Sequence, residues 1–417
     1  MRGLDGSLLA CVLGNLVLRA GSSSALTVTG LYLGHLDRTG NHVPATFIGL
    51  LAVAFYASEF MTAPIFGQLT DIYGKRPFLL LGGFFGAGAV LPLTLLPALP
   101  FFVLAKITAG LSSGSSVPAV LSYLAATTAS VPALRGRIMA AFEVATLIGF
   151  AVGLTLGGVL WDKLHQGAFF VVAGLFLSAS LIFSRIQGEG LNVGSHPGIQ
   201  AYVRLLRNKA TLAFVPAWLA VNAVLGTWFS HLGFQMSRGQ SPGQLLVGDY
   251  TGTMVGIVTG GLAVAIMVGT AAWTPAFGRV RPMIIMTIAA IGLGVTDFFI
   301  YMLNHQDKES ALVPVFVACI VLALLVAAGF TPAALAHLAE ITEQFPQERG
   351  TLMGLYSVLL GLGQLIGGWF GGVFAQQWAV DGLIYLTFIF ALLAGASIIM
   401  ADRVTEGRRQ ATDPSHP

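Results

Sequence analysis

Of the 417 residues, 55% are hydrophobic and only 9% are charged, with a mean hydropathy of +0.81; soluble globular chains carry about a quarter charged residues, so that class is excluded. The two cysteines, Cys11 and Cys319, each lie inside an apolar run and exclude a disulfide framework or a paired-cysteine metal site. Eight histidines without ligand spacing and the lack of a Walker-type Gly-rich loop leave no metal, enzyme or direct ATP-coupling motif.

What remains is an all-α polytopic membrane protein. A window of roughly 20 residues, the length that crosses ~30 Å of hydrocarbon, predicts twelve helical spans. They cover 7–34, 45–69, 77–97, 101–128, 138–161, 167–184, 212–236, 251–275, 282–303, 311–338, 351–376 and 382–401. Helices are required because lipid leaves unpaired backbone groups unsatisfied. The N-terminal run has no small-residue cleavage signature and is read as the first span, retained in the mature protein.

With both termini cytoplasmic, fifteen Lys and Arg residues fall on the inner side and four, Arg38, Lys163, Arg238 and Lys308, on the outer. This asymmetry sets the expected orientation in the cell (inner or plasma) membrane. The net charge of +3 then reflects topology and implies no nucleic-acid partner. Between spans six and seven, "RIQGEGLNVGSHPGIQAYVRLLRNK" reads as a linker; Ile199, Tyr202, Val203 and Leu206 with Arg204, Arg207 and Lys209 suit a short amphipathic helix on the inner leaflet. The expected domains are a six-helix bundle over 1–185, this linker over 186–211, a second bundle over 212–403 and a cytoplasmic tail over 404–417.

The two bundles repeat. "RGRIMAAF" begins at Arg135 and "RGTLMGLY" at Arg349, an offset of 214 (349 − 135) that also relates Gly149 to Gly363, Gly153 to Gly367, Gly157 to Gly371 and Gly158 to Gly372. Such glycines let helices approach closely, so their expected role is helix packing. Two pseudo-symmetric six-helix halves place a substrate path between them, near the bilayer midplane.

Ionisable residues at membrane depth are functional candidates by default: Arg19, Glu59, Lys106 and Glu143, with Asp297 read as exposed on the outer side. At ~1.5 Å of rise per residue, Arg19 and Glu59 both lie about 18 Å deep and can meet. The pair is either a permanently closed ion pair or a site for a substrate or proton. Asn15, Ser22, Ser23, Ser24 and Thr27 on span one and Asn222, Trp228 and His231 on span seven are further candidates to line a cavity.

Twelve spans, a six-plus-six repeat and "GQLTDIYGKRP" after span two together resemble the major facilitator superfamily, over essentially the whole chain. Gly67, Asp71, Gly74, Lys75 and Arg76 match its signature between helices two and three, with Ile72 in place of a basic residue. The equivalent stretch of the second half, "PAFGRVRPM", keeps Gly278, Arg279 and Arg281 but has no acid. "KITAGLSSGSSVP" resembles the span-four pattern, with Lys106 in place of Arg. "GFAVGLTLGG" resembles the fifth-helix signature of the twelve-helix drug/proton antiporter branch, with Leu154 in place of proline.

The resemblance implies a secondary active transporter that works by alternating access. Its expected activity is proton-coupled export of a drug-like or amphiphilic small molecule, with no cofactor beyond a proton gradient. A lipid or glycolipid flippase, a symporter or facilitator for a small polar solute, and a non-transporting receptor are the alternatives. The resemblance also implies a conformational gate in which Asp71 latches onto the start of span eleven at Gly350 and Thr351, where the helix dipole attracts a carboxylate. Expected partners are the substrate and membrane lipids, and the expected state is a monomer.

Overall fold

The computed structural model describes residues 6–96, 98–128, 132–186, 209–343 and 349–412. Among these the chain is helical, apart from short turns and one isolated bridge between Phe277 and Val280. The helices are α1 (Gly6–Arg38), α2 (Ala45–Tyr73), α3 (Lys75–Val90), α4 (Leu99–Thr127), α5 (Pro132–Leu164), α6 (Ala168–Phe183), α7 (Lys209–Ser237), α8 (Gly252–Ala272), α9 (Pro282–Asn304), α10 (Val313–Ala327), α11 (Phe330–Glu343) and α12 (Arg349–Thr412). The expected amphipathic helix falls on 187–208, outside the described residues.

Nine stretches among the described residues are long and apolar enough to cross a membrane. Two of them, Arg137–Phe183 and Val358–Arg403, run for 47 and 46 residues, each long enough for two crossings. The first is interrupted by the 3₁₀ turn His165–Gly167 and the second at Ala379, where φ is 49° and ψ −126°. Helix α4 is 29 residues long with Pro118 inside and is not one of the nine. Helix α2 ends at Gly74, whose φ of 84° suits a residue without Cβ, and α3 starts at once. Gly278 holds the matching position before α9 with φ 79°.

The chain forms two compact units. The first comprises Met1–Ser195, Phe229–Gln240 and Val247–Val264, and the second His196–Trp228, Ser241–Leu246 and Ala265–Pro417. In the first, α1 lies along α5 with almost no gap. A Cβ on Gly149, Gly153 or Gly157 would run into the carbonyls of Leu16, Ala20 or Ser24. The hydroxyl of Ser24 completes the seam by donating to the carbonyl of Gly153 at 2.8 Å.

The second unit contains the same seam. Gly363 faces the carbonyl of Leu219, Gly367 that of Ala223, and Thr227 donates to the carbonyl of Gly367 at 3.0 Å. The offset is 203 on the first helix (219 − 16) and 214 on its partner (363 − 149). These glycines meet the backbone of the neighbouring helix in both units, and the repeat is one of three-dimensional contacts as well as letters. Gly158 packs instead against Gly252 and Gly256 of α8, while Gly371 and Gly372 are buried on α12.

The second unit's core sits around Trp218, Phe214 and Phe330, with Trp218 stacked on both of those rings. Ser397 of α12 clamps the start of α7, accepting from the amide of Ala217 at 3.1 Å and donating to the carbonyl of Ala213 at 2.6 Å. The bend at Ala379 is braced from outside. Gln244 accepts from the amides of Val380 and Asp381 at 3.0 and 3.3 Å and donates to the carbonyl of Trp378 at 3.0 Å. Asn304 donates to Asp381 at 2.9 Å.

Overpacking a tight core typically costs 1–3 kcal/mol. Gly153→Val and Gly367→Val are each expected to lose about that much stability or more in thermal unfolding of the purified protein. Gly174→Ala, where a Cβ meets open space, should melt with the wild type.

Candidate functional site

The α1–α5 seam fixes where the charges of the first unit point. Arg19 sits one turn from Ser23 on α1, its Cβ against Gly149. The hydroxyl of Ser23 folds back to the carbonyl of Arg19 at 2.8 Å, and Asn15 donates to Thr146 of α5 at 2.8 Å. The guanidinium is thereby held beside two carboxylates, Glu59 on α2 and Glu143 on α5, both near enough to act on it electrostatically. Its Nε is buried without a hydrogen-bond partner among the described residues.

Glu59 does not close onto Arg19. Its Oε1 accepts instead from the hydroxyl of Ser113 on α4 at 2.6 Å. Close packing of α2 on α4 sets this contact: Gly110 fits against the carbonyl of Phe55 and the side chain of Ser58, and Ser58 donates to the carbonyl of Ile107 at 2.8 Å. Tyr56, one turn before Glu59, lies within reach of its charge. The site is therefore a set of separated charges, with the Ser113 hydroxyl bonded to Glu59 and Tyr56 within reach of its charge, and not a sealed ion pair. An unsatisfied buried guanidinium nitrogen has a cost that a bound polar group would remove.

Of the other expected residues, Lys106 lies half-buried on the Ser113 face of α4, two turns away, and its side chain makes no hydrogen bond or ion pair with any described residue. Asn15 is taken up by Thr146, Asn222 by the carbonyl of Trp218 at 2.8 Å, and Trp228 by Thr387 at 2.9 Å. Asn15 and Trp228 thus tie helices together, while Asn222 bonds within its own helix. Asn222 occupies the position that the repeat equates with Arg19 (222 − 19 = 203), so the second unit carries a neutral, backbone-satisfied amide where the first carries a charge. Asp297 corrects the expectation of exposure: it is 3% exposed, and its Oδ1 has no hydrogen-bond partner among the described residues. Counting depth gives height but not azimuth, and Asp297 shares the buried face of Met286, about three turns earlier.

At the expected gate, Gly67 approaches Pro118 of α4 and Lys75 is buried. Arg76 donates to the carbonyl of Ser184 at 2.7 Å, pinning α3 to the end of α6. Asp71 is partly buried and engaged. Gly350 and Thr351 begin α12, but their side chains lie outside the described residues.

A second polar group in the first unit escaped sequence reading. Asp162, near the end of α5, accepts from the amides of Gly252 and Thr253, both at 2.7 Å, and so caps α8 from another helix. Beside it Arg238 donates to Asp37 at 3.2 Å while lying over the ring of Phe234, and Arg38 pairs with Asp249 at 3.6 Å. Gly34 and Ser237 touch at the same end. The signal was available only in part: Arg38 and Arg238 stand out as basic residues on the expected outer side, but nothing in the spacing joins them to their acids.

Comparison with known proteins agrees with this architecture. The sequence profile of the Major Facilitator Superfamily matches residues 8–249 and 225–416. An uncharacterized MFS-type transporter from Methanocaldococcus jannaschii is 22% identical over 361 residues, 84% of this chain and 87% of that one. Multidrug resistance protein 2 from Bacillus subtilis is 24% identical over 163 residues, 39% of this chain and 40% of that one. Among solved structures, the nucleoside transporter NupG superposes with a TM-score of 0.75 at 13% identity over 97% of this chain and 99% of that one. A bacterial homologue of the human lysosomal transporter Spinster, in an inward-facing and unoccupied conformation, gives 0.72 at 13% identity over 96% and 97%. The chain belongs to the Major Facilitator Superfamily: it is a multi-pass membrane transporter, not an enzyme.

Proposed function

We propose that this transporter is a secondary active exporter of a drug-like or amphiphilic small molecule, working by alternating access across twelve crossings and driven by proton exchange. It would sit in the cell membrane with both termini cytoplasmic, as the Lys and Arg asymmetry favours. The observation that carries the reading is the open charge set of the first unit: a buried Arg19 with an unsatisfied Nε, and a Glu59 held by a single hydroxyl.

Glu59 suits a proton carrier because it has two alternatives of similar reach. Ionised, its charge balances Arg19; protonated, it keeps the Ser113 contact and leaves Arg19 to Glu143 or to an incoming polar group. The neutral amide at Asn222 leaves the matching position of the second unit without charge, as an amphiphile's apolar part favours. Two Bacillus subtilis relatives named as multidrug resistance proteins support this direction at 24% and 22% identity. A small polar solute is the second reading, favoured by the clustering of Arg19, Glu59, Glu143, Tyr56 and Ser113 in one unit.

The test is dye or drug export from proteoliposomes with and without a proton gradient. Glu59→Gln is expected to lose gradient-driven export by tenfold or more while still exchanging substrate down its own gradient. Export indifferent to both gradient collapse and Glu59→Gln would sink the antiport reading, and uptake of a sugar or nucleoside would favour the polar-solute one.

Asp162, Asp37 and Arg238 are assigned to a releasable outer clamp. Hydrogen bonds to a charged acceptor contribute about 1.5–3 kcal/mol, so Asp162→Asn should expose the clamped end. In a background lacking Cys11 and Cys319, a Ser237→Cys reporter, buried in the wild type at 1% exposure, should react with an impermeant maleimide about tenfold faster once Asp162 is changed. An unchanged labelling rate would remove Asp162 from the clamp.

A further inference from the structure

The second copy of the loop signature, "PAFGRVRPM", has lost its acid but kept its basic residues, and the transport reading gives it no role. In the second unit it borders a groove of about 550 Å³ between the end of α8, the 3₁₀ turn Thr274–Ala276 and α10, with Trp273, Pro275, Arg279, Val280, Leu325 and Val326 on its walls. We propose that this groove binds an anionic phospholipid, with the headgroup phosphate on Arg279 and the upper acyl chain along Val280, Leu325 and Val326.

Three observations point to that occupant. The first is the state of Arg279: exposed, with a side chain that makes no hydrogen bond or ion pair to any described residue. Its neighbours in sequence and in the repeat are both committed, Arg281 to Asp402 at 2.9 Å and Lys75 to a buried position. The second is the wall. Trp273 is locked in place by donating its indole N–H to the carbonyls of Leu325 and Val326 at 3.2 and 3.1 Å, with Gly329 leaving room for the ring.

The third is charge complementarity. Among the described residues lining the groove, Arg279 is the one ionisable side chain, and the others are apolar apart from the indole N–H already spent on the backbone. A free phosphate would use the guanidinium and leave the apolar wall wet. A phospholipid matches both, because Arg presents a planar fork to phosphate oxygens while the aliphatic wall takes the chain. Tryptophan and a basic residue at the end of membrane helices are the ordinary furnishings of the headgroup level, and basic pockets between such helices recognise anionic headgroups.

The experiment is native mass spectrometry of the delipidated full-length protein titrated with phosphatidylglycerol or phosphatidylcholine, for the wild type, Arg279→Gln and Arg279→Lys. The wild type is expected to retain phosphatidylglycerol about tenfold more tightly than phosphatidylcholine. Arg279→Gln should abolish that preference, and Arg279→Lys should keep part of it. Melting curves matching the wild type show that the variants are folded. Equal retention of both lipids by the wild type, or an undiminished preference in Arg279→Gln, would overturn the proposal. So would displacement of phosphatidylglycerol by millimolar inorganic phosphate, which would mark an anion site without a lipid component. The readout is lipid binding alone, so it stands or falls independently of the substrate and of proton coupling.

Discussion

Two helix backbones touching at glycine are the contact on which the rest of this molecule depends. Within lipid there is no hydrophobic gain from bringing helices together, so association relies on close van der Waals fit and hydrogen bonds between helices. Gly149, Gly153 and Gly157 supply the fit along α1, and Ser24 supplies a hydrogen bond to a carbonyl that the neighbouring helix exposes at the crossing. Because Arg19 lies on the same strip of α1, the spacing of those glycines also decides where its guanidinium stands. Packing and chemistry here are set by one row of residues.

The same seam built twice allows the two halves to be compared position by position. Where their architecture agrees, at Ser24 and Thr227 or at Gly153 and Gly367, both units use the same solution to the same packing problem. Where they differ, at Arg19 and Asn222, the difference is one of charge. A buried guanidinium is expensive unless it has partners, and an amide that satisfies itself on its own helix is cheap. The first unit carries the expensive option, with Glu59 and Glu143 beside it and Ser113 and Tyr56 next to Glu59.

Much of the fold was legible in the sequence because hydropathy and length are one-dimensional properties. Runs of apolar residues mark helices, and the repeat offset marks which glycines are equivalent. The charges Arg19, Glu59 and Glu143 were legible as candidates because membrane depth makes any charge conspicuous. Their partners were not, because pairing depends on helix azimuth and crossing. Ser113 is an ordinary serine until α2 and α4 are set against each other. Asp297 looks outer by counting yet points inward, and Asp162 resembles a loop residue until α8 begins beneath it.

The break at Ala379 has a mechanical meaning. A non-glycine residue with φ of 49° is a costly conformation, of order 1–3 kcal/mol, and it persists where neighbours over-determine it. Gln244 grips the backbone on both sides of the bend, and Asn304 and His305 hold Asp381 immediately after it, at 2.9 and 3.4 Å. A hairpin fastened this way has no hinge to spend. Glutamine and asparagine thus fasten both arms of the bend at their junction, so a change of angle there has to break those hydrogen bonds.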